Sequence, residues 1–202
     1  SAELHHADSA TRKSQLDGAK QFIDLAAALG SPFIRVFPNA FPKDRSKQAT
    51  IALITEGLQQ LGSYAKGTGV TVLLETHGDV VWSADILEIM KNAEGPNVGL
   101  VWDFYNMWSI THEAPANVYA TLKKYIRHTH IKDSKKSADG KENYVFLGRG
   151  DAPAAEAIGI LKKNNYAGFY SFEWEKMWHP EIAEPELAFA DFPVAFRKIY
   201  NG

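Results

Sequence analysis

The sequence predicts an α/β fold built on a parallel sheet, and three observations carry that prediction. Short apolar runs begin near residues 33, 70, 98, 126 and 168. The gaps between them, about 37, 28, 28 and 42 residues, are each long enough for a strand, a helix and two loops. The stretches between the runs place apolar residues at helical spacing, and strands alternating with helices pair in parallel through right-handed crossovers. Finally, the runs are apolar on both faces, as buried parallel strands are. They end in polar residues, at the strand ends where such sheets keep their ligands.

From the N-terminus, residues 1–10 are polar and short of core side chains, so His5 and His6 are expected in an exposed terminus or a tag remnant. A helix is expected from Thr11, with Leu16, Ala19, Ile23, Ala26 and Ala27 near one face and Gly30 just past its end. Phe33–Phe37 is the first strand, and Asn39–Asp44, preceded by Pro38 and containing Pro42, a loop. The next helix spans Ser46–Ala65 on Ile51, Ile54, Leu58 and Leu61, and Gly67 and Gly69 end it. Val70–Glu75 is the second strand. Ser83 is the expected N-cap of a helix to Asn92, with Asp85 in its first turn. Gly95-Pro96 breaks that helix before the strand Val98–Asp103. A helix over Ala116–Lys124 leads to the strand Ile126–Asp133. Ser134–Asn143 reads as a loop and Tyr144–Leu147 as a short strand before Gly148-Arg149-Gly150-Asp151. A helix over Ala154–Lys163, the strand Gly168–Glu173 and a helix over Glu184–Tyr200 complete the chain.

The composition narrows the function classes. The 202 residues suit one domain, 1–202, and 45% hydrophobic content supplies a core. A net charge of −2 offers no electrostatic footprint for nucleic acid or an anionic membrane surface. Without cysteine there are no disulfides, thiolate metal sites or thiol nucleophiles. No signal peptide and no apolar run of membrane-spanning length is visible, so a cytoplasmic placement is expected. Ser1 in place of Met reads as a processed or engineered start. Neither a Gly-x-Gly-x-x-Gly nor a P-loop is present, which removes support for nucleotide binding.

Four strand ends supply Glu75, Asp103, His130 and Glu173. Side chains alternate along a strand, so Glu75 shares a face with His77, and His128, His130 and Lys132 share another. Singly, each has an ordinary explanation. Glu75 could be a surface carboxylate, Asp103 a turn or helix cap, His130 a satisfied core histidine, and Glu173, with Glu175 nearby, a solvated acid. If the strand ends of a curved parallel sheet converge, three carboxylates meet, and they stay ionised together only beside a cation. An oxygen-rich set with one imidazole suits Mn²⁺, Mg²⁺ or Co²⁺, with Zn²⁺ an alternative.

Five stretches carry a resemblance: Leu-Leu-Glu75-Thr-His77-Gly, Val-Trp-Asp103-Phe-Tyr-Asn106, His128-Thr-His130-Ile-Lys132-Asp133, Gly148-Arg-Gly150-Asp and Ser-Phe-Glu173. In these the chain resembles the xylose-isomerase-like TIM barrel family of sugar and sugar-phosphate isomerases and epimerases, with endonuclease IV a distant relative. The resemblance implies a (β/α)8-type barrel of which this chain holds strands four to eight, lacking the first three. It implies one divalent metal, Mn²⁺ first, held by Glu75, Asp103, His130 and Glu173. Glu75 and Glu173 would also shuttle a proton through a cis-enediolate. His77, Lys132, Lys136 and Arg149 are implied contacts to substrate oxygens or phosphate. Asn106 stands where several epimerases of the family have a substrate-contacting His. The expected partner is a small sugar or polyol, with a homo-oligomer as one way to cover the barrel edge. A dehydratase, another lyase or hydrolase on the same metal, and a non-catalytic sugar-binding remnant are the alternatives.

Overall fold

The computed structural model describes residues 2–137 and 140–202. Its strands are β1 (Ala2–Glu3), β2 (Phe33–Phe37), β3 (Thr71–Glu75), β4 (Val98–Asp103), β5 (Ile126–Ile131), β6 (Asp133–Lys136), β7 (Glu142–Val145) and β8 (Tyr170–Phe172). Its helices are α1 (Ser9–Leu29), α2 (Lys47–Tyr64), α3 (Ser83–Asn92), α4 (Phe104–Thr111), α5 (Pro115–Leu122), α6 (Ala154–Lys163) and α7 (Pro185–Asn201). Six strands form one sheet in the order β1-β2-β3-β4-β5-β8. The five predicted strands are all in it, and β1 is added at the N-terminal side. Among the described residues no helix is long and apolar enough to cross a membrane.

Chain contacts divide the molecule into two compact units, residues 1–102 with 121–128, and residues 103–120 with 129–202. In the first, β1, β2, β3 and β4 pair in parallel, with Ala2 opposite Val36, Arg35 opposite Leu73 and Leu74 opposite Leu100. The central strands are apolar on both faces: Val72, Leu74 and Leu100 are sealed from solvent and Leu73 nearly so. Helix α2 buries Ile54, Leu58 and Leu61 completely, each roughly 1.5–3 kcal/mol of transfer free energy. Its N-cap is Ser46, whose hydroxyl accepts from the Ala49 amide at 3.2 Å. Helix α1 ends as expected at Gly30, which is left-handed (φ 69°). The Gly30 and Ser31 amides turn back to the Ala27 and Ala26 carbonyls at 3.2 and 2.8 Å.

The N-terminus departs from the sequence expectation. Leu4 is 1% exposed and His5 8%, because β1 draws this segment onto β2 through Leu4 N–H to Phe37 O at 2.9 Å. Helix α1 also starts earlier, at Ser9, with Asp8 capping the Thr11 amide. At α3 the expected cap Ser83 is the first helical residue, and Trp82 occupies the cap position without a side-chain hydrogen bond.

In the second unit, β8 pairs in parallel with the end of β5, with His130 opposite Ser171. The expected loop 134–143 instead begins and ends in a hairpin. There β6 and β7 pair antiparallel, with Ser134 opposite Tyr144 and Lys136 opposite Glu142. Residues 138 and 139 of that segment lie outside the described ones. Helix α4 was not expected. It starts directly after β4 because Asp103 accepts from the Asn106 amide at 2.9 Å, a helix N-cap at a strand end. Helix α7 lies on β8 through aromatic contacts, Phe192 stacked on Phe172 at 4.5 Å and Phe196 tilted against Tyr170 at 4.9 Å.

Candidate metal centre

In the second unit three carboxylates gather around one ammonium. Asp103 ends β4, and alternation along β5 and its extension puts His130 and Lys132 on one side and Ile131 in the core. Glu173 follows β8, fixed by its amide to Ile131 O at 3.0 Å. Lys132, 3% exposed, places its Nζ 3.0 Å from Asp103, 2.7 Å from Glu173 and 2.7 Å from Glu175. The ammonium donates to Glu173 and Glu175 and forms an ion pair with Asp103. The rings of Tyr105 and Tyr144 lie 5.7 and 5.9 Å from the same nitrogen. Burial works against the charged form of Lys132, and the carboxylates of Asp103, Glu173 and Glu175 reverse it, holding its pKa above the ordinary lysine value.

His130 Nδ1 lies 3.5 Å from Glu173. Asp103, His130 and Glu173 each offer a ligand atom, and these lie within 4.8 Å of one another, as binding to one ion requires. The charge points the same way. Three carboxylates facing one ammonium leave an excess of two formal negative charges, which a divalent ion would balance. The donor chemistry and the charge of these residues therefore fit a hard divalent cation.

Around this cluster the chain fixes its own loops. The Tyr105 hydroxyl meets Glu142 and Ser134 at 2.6 Å each. Burial first, and the Glu142 hydrogen bond second, push that phenol above its usual pKa. Asp133, 1% exposed, turns away and accepts the amides of Gly148, Gly150 and Ala152 at 2.9, 3.0 and 3.3 Å. Burial raises its pKa, while the three amides pull it back. A Cβ at Gly150 would sit 2.1 Å from the Asp133 carboxylate, so only glycine closes this turn.

The first unit holds Glu75 and His77. Glu75, 1% exposed at the end of β3, meets Arg35 of β2 at 2.9 Å. The His77 ring lies 4.3 Å from Phe37, and its Nδ1 is 3.1 Å from Asn39 Oδ1. A Cβ at the following Gly78 would overlap Asn39 O at 2.0 Å, so that glycine lets the two loops pass.

Of the residues singled out in the sequence, Asp103, His130, Lys132 and Glu173 are brought together, and Asn106 sits in the first turn of α4 above Asp103. Arg149 instead forms an ion pair with Asp191 and lies over Phe146 at 4.8 Å. Lys136 has an exposed side chain, and its amide is bound to Asp151 at 3.0 Å. Sequence reasoning missed Glu175 and the two tyrosines as partners of Lys132, and Arg35 as the partner of Glu75. An arginine in the otherwise apolar run Phe33-Ile34-Arg35-Val36-Phe37 was the available signal for the last.

Comparison with known proteins places this geometry in context. No curated protein matches the chain. Among solved structures, a xylose isomerase domain protein from Planctomyces limnophilus is 26% identical, with a TM-score of 0.78 over 100% of this chain and 72% of its own. A D-tagatose 3-epimerase-like protein is 20% identical, with a TM-score of 0.80 over 99% of this chain and 74% of its own. A xylose isomerase-like TIM barrel protein from Mycobacterium smegmatis, solved with magnesium, is 19% identical, with a TM-score of 0.72 over 99% of this chain and 72% of its own. The model of the xylose isomerase-like TIM barrel family matches residues 1–191, and the chain belongs to that family.

Proposed function

We propose that this chain is a divalent-metal-dependent isomerase or epimerase of a sugar or sugar phosphate. The observation that carries the proposal is the convergence of Asp103, His130 and Glu173 ligand atoms within 4.8 Å, backed by an excess of negative charge. Glu75 is the proposed fourth ligand, already held by Arg35 through one of its oxygens. Three carboxylates and one imidazole favour Mn²⁺, with Mg²⁺, Co²⁺ and Zn²⁺ as alternatives.

When bound, the ion supplies Lewis acidity to substrate oxygens that gain negative charge. The chain's own residues do the rest. Glu173 and Glu75 are the proposed proton carriers, one taking a carbon-bound proton next to the carbonyl and the other returning one. Return to the neighbouring carbon isomerises the sugar, and return to the opposite face epimerises it. Lys132 orients Glu173 by holding one of its oxygens at 2.7 Å. His77 and Asn106 are the proposed contacts to substrate hydroxyls.

The test is a panel of aldoses and ketoses, with and without phosphate, incubated with Mn²⁺ in deuterated water. The expected result is deuterium at the carbon next to the carbonyl, lost about 100-fold or more in Glu173→Gln. Mn²⁺ binding measured beside it should weaken in Asp103→Asn. A panel with no exchange under saturating Mn²⁺ would overturn the proposal.

A further inference from the structure

A second cluster of ligand groups lies at the N-terminal end of the first unit, on residues the proposed reaction does not use. Glu3 ends β1, and His5 and His6 follow it. Among the described residues these three also bring ligand atoms within 4.8 Å of one another. His6 Nε2 is 3.1 Å from Glu3 Oε2, and His5 Nδ1 is 3.9 Å from that same oxygen. The two imidazole rings lie 4.0 Å apart, tilted by 36°.

Two features separate this cluster from a chance meeting of polar side chains at a chain end. The first is the His5 ring. The residue is 8% exposed, and its Nδ1 is buried with no hydrogen-bond partner while facing the Glu3 carboxylate. A buried ring nitrogen left this way costs free energy unless something binds it. The second is the rigidity of the backbone that presents the three groups. The Glu3 amide donates to Gln15 Oε1 at 2.9 Å. Arg12 donates to Leu4 O at 3.1 Å, and Arg45 to His5 O at 3.2 Å. Leu4, between them, is buried against Gly57 of α2. A site held by neighbouring elements in this way is preorganised for its ligand.

We propose that Glu3, His5 and His6 form a binding site for a zinc-class transition-metal ion. Two imidazoles and one carboxylate are a zinc donor set, and bonds of about 2.0–2.1 Å separate tetrahedral ligand atoms by about 3.3 Å. The 3.1 and 3.9 Å separations bracket that value, so small side-chain movements suffice. The side chains of His6 and Glu3 are 30% and 35% exposed, which gives the ion an entry path and leaves room for water as a fourth ligand. The donor set also divides the metals. Two imidazoles favour zinc here, while the carboxylate-rich cluster around Asp103 favours harder ions.

The test is equilibrium dialysis of chelator-stripped protein against Zn²⁺, with bound metal counted in the parent, His6→Gln, Glu3→Gln and Asp103→Asn. His6 and Glu3 are partly exposed, so their replacement spares the core, and circular dichroism verifies the fold. Ring NMR signals give a second readout. His5 and His6 report this cluster, and His130 reports the other. The expected result is one tight Zn²⁺ retained in Asp103→Asn but weakened about 100-fold or more in His6→Gln and Glu3→Gln, with the His5 and His6 rings shifting together. Zn²⁺ binding unchanged by His6→Gln and Glu3→Gln, a His5 ring that does not move, or binding only at millimolar metal, an adventitious ion only, would each overturn the site.

Discussion

Lys132→Met leaves Asp103, Glu173 and Glu175 without their shared ammonium. Breaking a buried ion pair from one side costs roughly 3–5 kcal/mol. The variant should therefore melt well below the parent in chelator, and millimolar Mn²⁺ should restore part of the lost Tm, since the ion supplies the missing positive charge. A Tm unchanged by the substitution, or one that Mn²⁺ does not move, would show that the carboxylates do not depend on a central cation. Asp133 makes a separate prediction. Asp133→Asn turns one acceptor oxygen into a donor facing the amides of Gly148, Gly150 or Ala152. A loss of about 1.5–3 kcal/mol is expected from the charged hydrogen bonds, read as a shifted urea midpoint, with little change in metal affinity. At this scale the identities of Asp103, His130 and Glu173 were legible in the sequence because each ends an apolar run. Their partners were not. Lys132 meets Glu175 across 43 positions, and Arg35 meets Glu75 across a strand pair, relations that no local pattern records.

Individual elements differ in how clearly the sequence announces them. The strands around Val72 and Leu100 are continuous apolar runs, and helix α2 repeats its apolar positions every three or four residues, so both could be read directly. Strand β1 has two residues, and its pairing comes from the Leu4 contact, which leaves no periodicity to find. Strands β6 and β7 are polar because they form a two-stranded hairpin with exposed positions at Lys135, Lys136 and Glu142. Helix α4 was hidden for another reason: one residue, Asp103, serves as both strand end and cap. Helix α7 supplies the prediction at this scale. It stacks on β8 through Phe192, whose ring lies 4.5 Å from Phe172 and nearly parallel to it, at 12°. Phe192→Ala should cost about 2–3 kcal/mol, below the full core value because the ring is only partly buried. Hydrogen exchange should show the loss as faster opening of α7, with α2 unaffected.

The whole molecule carries two features that solution measurements can reach. Helix α1 and strand β2 line an apolar cavity of about 310 Å³ that includes Phe22, Leu25, Leu29, Phe33 and Ile34. Phe22 is 60% exposed and Leu29 74%. A dye that fluoresces on apolar surface should bind the parent, and Phe22→Ser combined with Leu29→Ser should remove most of that signal. The second feature is alkaline sensitivity. Burial pushes the Tyr166 and Tyr170 phenols up to about 12, against about 10 in an unfolded chain. Between those values the folded state holds more protons than the unfolded one, so stability falls as pH rises. The contribution is intact below pH 10 and lost as pH climbs through 12. Urea midpoints should drop across that window, and the drop should shrink in Tyr166→Phe. The carboxylate of Asp133, meanwhile, joins its own position to residues 148–152, so the chain from 134 to 147 leaves and returns at nearly one point. A segment closed at its base can change length at low entropic cost. Insertions between Lys136 and Glu142 should therefore leave the charged cluster in place. A tag or reporter spliced into this hairpin should likewise leave Lys132 and its three carboxylates in place.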